Sequence, residues 1–209
     1  MNNSNIPSAL RIIAVTGSGE ISAPPNYAQL QLEVSTEGKS VSEAQQENAT
    51  IMNQVIQSIL ALDIARENIQ TTAYNIFPTY DFIEGKQVFR GYEVTNAITV
   101  KIEDVSQVGK VIDTAVYNGV NRVSTIQFRV ENPNIYYQQA LRLALQDAQT
   151  KAKTIAEKMH LPLQEQPIEI VEEHEANPIL FKSVAMANQT PIEQGEISIQ
   201  ATVRVKFQY

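Results

Sequence analysis

The chain contains no cysteine. Disulfide staples, thiol catalysis and thiolate-ligated zinc are therefore excluded. The compartment stays open, because a cysteine-free chain works inside or outside the cell. Histidine is scarce, with 2 in 209 residues. His160 and His174 stand too far apart for a compact two-histidine metal motif. Basic residues are outnumbered, 16 against 23 acidic, for a formal net charge of -7. That field repels phosphate backbones, and no Lys/Arg cluster opposes it, so nucleic acid is not an expected partner. No apolar run approaches the ~18 residues of a membrane span, so no transmembrane segment is expected. Residues 1–9 have neither the basic start nor the apolar centre of a secretory leader. The chain as it stands reads as cytoplasmic. What remains is an ordinary globular composition, 43% hydrophobic and 19% charged, in a chain long enough to bury a core.

Hydrophobic periodicity sets the organisation. Residues 1–9 read as a loose tail, followed by a single domain over 10–209. Leu10–Val15 is an apolar, β-branched run. The turn residues Gly17 and Gly19 follow it, then an alternating strand at Ala28, Leu30, Leu32 and Val34. These two strands are expected to pair as a loose hairpin. Ser40 and Glu43 form a Ser-x-x-Glu capping box ahead of a helix carrying Val41, Ala44, Ile51, Val55 and Ile59. Two strands are predicted at Ile69–Tyr80 and Val88–Ile102, joined through Glu84-Gly85-Lys86. Asp104 is expected to cap a second helix that stops at Gly119, and Ile126, Phe128 and Val130 mark another strand. Asn132 and Pro133 open the longest helix, striped by Leu141, Ala144, Ala148, Ala152, Ile155 and Met159. A strand near Leu163–Val171 follows. The stretch 172–195 has no clear period, and Gly195 is read as a turn. The last strand places Ile197, Ile199, Ala201, Val203, Val205 and Phe207 on one face.

The order β-β-α-β-β-α-β-α-β-β predicts an α+β fold, with an antiparallel or mixed sheet and helices mainly on one face. Residues 27–131 spell β-α-β-β-α-β, the ferredoxin-like unit, and 132–209 add the long helix and closing strands.

No constellation announces catalysis. Gly17-Ser18-Gly19 lacks the third glycine of a dinucleotide loop, and prolines rather than a helix follow it. Glu172-Glu173-His174-Glu175 cannot converge on a metal if it is a strand, because neighbours face opposite ways. No Gly-x-Ser-x-Gly elbow supports a serine triad. His160 sits where a helix ends, as a cap rather than a ligand. Tyr74, Phe77, Tyr80, Phe82, Phe89 and Tyr92 gather on the central hairpin. They read as cross-strand aromatic pairs in a core or interface. The alternative makes Tyr74, Phe77, Tyr80 and Tyr92 the wall of a small-ligand site. The apolar stretch Pro178–Met186, with Ile179, Leu180, Phe181, Val184 and Met186, either tucks onto the domain or contacts a neighbouring copy. No cofactor is implied.

Several segments in order resemble the SIMPL-domain, or YggE-like, family. They are Val15-Thr16-Gly17-Ser18-Gly19-Glu20, Asn68-Ile69-Gln70-Thr71 and Gly91-Tyr92. Gly119-Val120-Asn121-Arg122-Val123 with Phe128, the alanine-rich helix Ala140–Ala156, and Glu193-Gln194-Gly195-Glu196 complete the match over about residues 12–209. The resemblance implies the α+β fold already read from periodicity. It also implies a link to oxidative-stress defence and the cell envelope, ring-like homo-oligomers in some members, and no established catalytic residue. Its members are usually exported. His160 stands where the family usually has glycine, and the turn is expected to survive the change. The expected function is therefore that of a non-enzymatic, self-assembling protein. The alternative is an enzyme or ligand-binding protein using the aromatic hairpin.

Overall fold

The computed structural model describes residues 11–173, 179–181, 190 and 192–209, with backbone only at 179–181. Their elements are β1 (Ile12–Ala23), β2 (Tyr27–Gly38), α1 (Val41–Leu60), β3 (Ile69–Ile83), β4 (Lys86–Ile102), α2 (Val108–Tyr117), β5 (Arg122–Arg129), α3 (Pro133–Met159), β6 (Pro167–Glu173), β7 (Ile179–Phe181) and β8 (Glu196–Gln208). The class is α+β. The strands form two antiparallel sheets of 4 strands each. By internal contacts the chain divides into two compact units.

One unit is the ferredoxin-like β2-α1-β3-β4-α2-β5, with strand order β3-β4-β2-β5. Alternation in β2 buries Ala28, Leu30, Leu32 and Val34 completely. In β4, Ile98, Val100 and Ile102 do the same, and Met52, Val55 and Ile59 of α1 and Val108, Val111 and Ala115 of α2 close the core. Ser40 caps α1 through its side chain, which accepts from the Glu43 amide at 3.2 Å. Glu43 in turn accepts from the Lys39 amide at 3.1 Å, one residue outside the expected box. Asp104 caps the 3-10 turn Val105–Gln107, and α2 starts only after it. Asn48 of α1 is wholly buried, and its side-chain amide donates to the Val34 and Val94 carbonyls at 2.9 and 3.0 Å. Gly119, with φ 110°, ends the α2 turn as expected.

The other unit holds β1, β8, β6 and β7 with α3. β8 is central, flanked by β1 on one side and by β6 and β7 on the other. Its alternating set is buried as expected, and Ala201, Val203, Val205 and Phe207 pack against Ala140, Ala144, Ala148, Ala152 and Ala156 of α3. Asn132 precedes α3 without a side-chain capping bond, and Pro133 takes the first turn. α3 ends on His160 in the left-handed conformation, φ 54° and ψ 43°, which is the turn geometry expected there.

Two expectations are corrected. β1 and β2 do not form a hairpin: β1 runs antiparallel to β8, with Ile13 opposite Phe207 and Val15 opposite Val205. The two strands serve different cores, β1 facing α3 and β2 facing α1 and α2. Gly17 and Gly19 are not turn residues. They lie inside β1, opposite Val203 and Ala201, where α3 crosses closely. A Cβ at Gly17 would sit 2.0 Å from the Ala144 carbonyl oxygen, and one at Gly19 would sit 2.1 Å from that of Ala140. Gly195 does have a positive φ, 58°. The period-free stretch contains the short strand β7.

Candidate interaction surface

β2 stops at Gly38, opposite Tyr92. β3 and β4 run on past that point to Ile83 and Lys86 as a two-stranded ribbon. Glu84 and Gly85 close it with φ of 50° and 78°, the positive pair that a tight primed hairpin turn requires. A ribbon of two strands is marginal in water without a third strand or a helix. Edge-to-face ring contacts stiffen this one, Tyr80 on Phe89 at 5.8 Å and Phe89 on Tyr92 at 5.3 Å. Each such pair contributes ~1 kcal/mol beyond burial. Arg90 ties the base of the ribbon to Glu37 of β2 and lies 3.9 Å from Asp81.

The aromatic pairing expected from sequence is present, but much of it faces water. Phe82 is 77% exposed and Phe77 57%, with Tyr74, Tyr80 and Phe89 near half. Ile76, Ile83 and Val88 are exposed beside them. Register assigns the faces, because paired residues share a side. Tyr74, Ile76, Tyr80, Phe89 and Tyr92 fall on one face, and Phe77, opposite Glu93, on the other. Tyr74, Phe77, Tyr80 and Tyr92 therefore do not line a single wall, which corrects the ligand-site arrangement read from sequence. What the ribbon presents is apolar surface on both sides.

The other candidate contact is placed only in part. Ile179, Leu180 and Phe181 form β7, opposite Ser198, Ile197 and Glu196 of β8. Val184 and Met186 lie outside the described residues, as do His174 and Glu175. Among the described residues, no group of three or more His, Asp or Glu side chains could hold a metal ion. Among them, too, no helix is long and apolar enough to cross a membrane.

A second polar arrangement was not legible as such in the sequence. Asp147 and Lys151 stand one turn apart on α3 and pair at 2.7 Å. Both also reach the backbone of β1. The Ser18 amide donates to Asp147 Oδ2 at 2.9 Å, and Lys151 Nζ donates to the Thr16 carbonyl at 2.9 Å. An Asp-x-x-x-Lys pair on a helix was the available signal, but it reads as a solvated face. Lys151, then the Ser18 amide, hold the Asp147 carboxyl below its ordinary value of 3.8. A depressed carboxyl contributes stability above its unfolded value, and that contribution disappears as pH falls through the folded value. In a carbon-13 titration the Asp147 midpoint is expected below 3.8, rising toward it in Lys151→Met. A midpoint indifferent to that substitution contradicts the assignment of Lys151 as the main cause.

The SIMPL model, described as a protein of unknown function (DUF541), matches residues 13–207. The 26 kDa periplasmic immunogenic protein of Brucella melitensis biotype 1 is 31% identical, over 94% of this chain and 84% of the relative. The uncharacterized protein YggE of Escherichia coli K12 is 24% identical, over 92% and 78%. The YggE of Edwardsiella ictaluri is 21% identical, over 93% and 85%. A match of this extent, on the fold just described, means that the chain belongs to the SIMPL family.

Proposed function

We propose that this SIMPL protein is a non-enzymatic, self-assembling component of the cell envelope, with the β3–β4 ribbon seated on another copy. The observation that carries the reading is the ribbon's exposed apolar surface beyond the end of β2. Exposed patches of this kind usually mark a contact. A second copy supplies what a two-stranded ribbon lacks. The word periplasmic in the name of the Brucella relative supports the envelope placement. A supporting role in oxidative-stress defence follows the family resemblance. In a chain without cysteine, such a role acts through assembly rather than through thiol turnover.

Light scattering at micromolar concentration tests the proposal. The wild type is expected above monomer mass, and Phe77→Ser with Phe82→Ser is expected to lower that mass while circular dichroism stays unchanged. Leu180→Asp with Phe181→Asp tests the other apolar stretch. A monomeric wild type overturns the assembly reading. Loss of mass in the second variant but not the first moves the contact from the ribbon to residues 179–186.

A further inference from the structure

β1 is an edge strand of 12 residues. Among the described residues, no strand pairs with its outer side. Such an edge offers a row of unpaired N–H and C=O groups to any second strand. Proteins usually discourage this with lysine, proline or inward charges on the strand itself. β1 has no lysine and no proline, and its one charged residue, Glu20, accepts from the Ser198 hydroxyl. The other edge of that sheet is charged: on β6, Glu169 pairs with Lys206 at 2.9 Å and Glu173 with Arg204.

The protection of β1 comes from the helix instead. Successive residues of a strand aim their backbone groups at opposite edges. Tyr209 donates to the Arg11 carbonyl from the β8 side. Thr16 and Ser18 have the opposite parity, and their groups point outward. Of these outward groups, Lys151 occupies the Thr16 carbonyl and Asp147 the Ser18 amide. The two bonded residues flank the middle of β1. A second β1 arriving antiparallel in full overlap, related by a two-fold axis at the middle of the strand, would meet those two residues. The Asp147–Lys151 pair thus takes one donor and one acceptor from the middle of the edge that such a strand would use.

We propose that Asp147 and Lys151 are an edge guard: they block the middle of β1 and prevent it from pairing with β1 of a second copy of this chain. The proposal is independent of the ribbon, because its readouts are the Ser18 amide and a change of mass relative to wild type, whatever the wild-type mass is.

The experiment uses the full chain with Asp147→Ala and Lys151→Ala. The Ser18 amide is expected to lose its acceptor, and its hydrogen exchange at low protein concentration to rise about tenfold. At higher concentration the mass is expected to double relative to wild type as β1 edges meet. Adding Ser18→Pro removes the outward N–H at an edge position where proline is tolerated, and is expected to return the mass to the wild-type value. A purely structural role for the pair predicts no such rescue. A folded double variant with wild-type mass overturns the proposal, as does a mass gain that survives Ser18→Pro. If the alanine pair fails to fold, Asp147→Asn with Lys151→Gln keeps the side-chain volume and removes the charge. It is read by the same two criteria.

Discussion

Valine in place of Gly17 is expected to unfold the β1–β8–α3 unit, at a cost of about 3 kcal/mol or more. The reason is backbone contact. A Cβ at this position meets the Ala144 carbonyl oxygen at 2.0 Å and the Ala148 nitrogen at 2.6 Å, and neither can rotate away as a side chain would. α3 cannot retreat locally either, because Ala140, Ala144, Ala148, Ala152 and Ala156 are all buried along the same strand pair. Moving the helix would open every one of those contacts, and packed interiors do not deform piecemeal. Ala14→Val is the control, since Ala14 is exposed on the opposite face of β1. Urea unfolding measures both. A Gly17→Val protein within about 0.5 kcal/mol of wild type would refute the close-packing account.

Leu32→Ala is expected to cost about 2–5 kcal/mol in the ferredoxin-like unit. Leu32 is 0% exposed, on the central strand β2, with Ile98 and Val123 opposite it on the two neighbouring strands. Its loss leaves a cavity that β2, paired on both sides, cannot collapse to fill. Phe82→Ala removes a larger side chain, but from a position 77% exposed, and is expected to change stability by no more than about 0.5 kcal/mol. Urea denaturation of the pair separates core from contact surface. Equal losses in the two variants would mean that the ribbon is part of the folded core rather than a surface awaiting a partner.

These contrasts mark where the sequence was legible. Period-two runs located β2, β4 and β8, because one buried face writes its alternation directly into the residues. Capping chemistry located the start of α1, and the order of elements over 27–131 exposed the ferredoxin-like unit. Gly17 and Gly19 misled for a physical reason. Glycine usually signals a turn through its backbone freedom, but here it signals the nearness of a helix more than a hundred residues away. The hairpin expected of β1 and β2 failed likewise: adjacency in sequence favours pairing, but β1's apolar face matches α3 and its ladder matches β8. The ribbon's aromatic pairs were legible, but their exposure was not, since it depends on where β2 stops. Asp147 and Lys151 looked like an ordinary helical ion pair because nothing local reveals the strand edge beside them.

The pairing of β1 with β8 also shapes how the molecule is made. Ile12 lies opposite Gln208 and Ala23 opposite Ile197, so among the described residues the first strand finds its ladder only in the last. The segment between them carries everything needed for the β2–β5 sheet, whose pairings close over far shorter loops. Contacts between distant residues form slowly, and vectorial synthesis delays these until β8 has been made. Until β8 emerges, β1 lacks the strand that pairs with its inner edge. Emergence of β8 is the event that gives β1 its ladder.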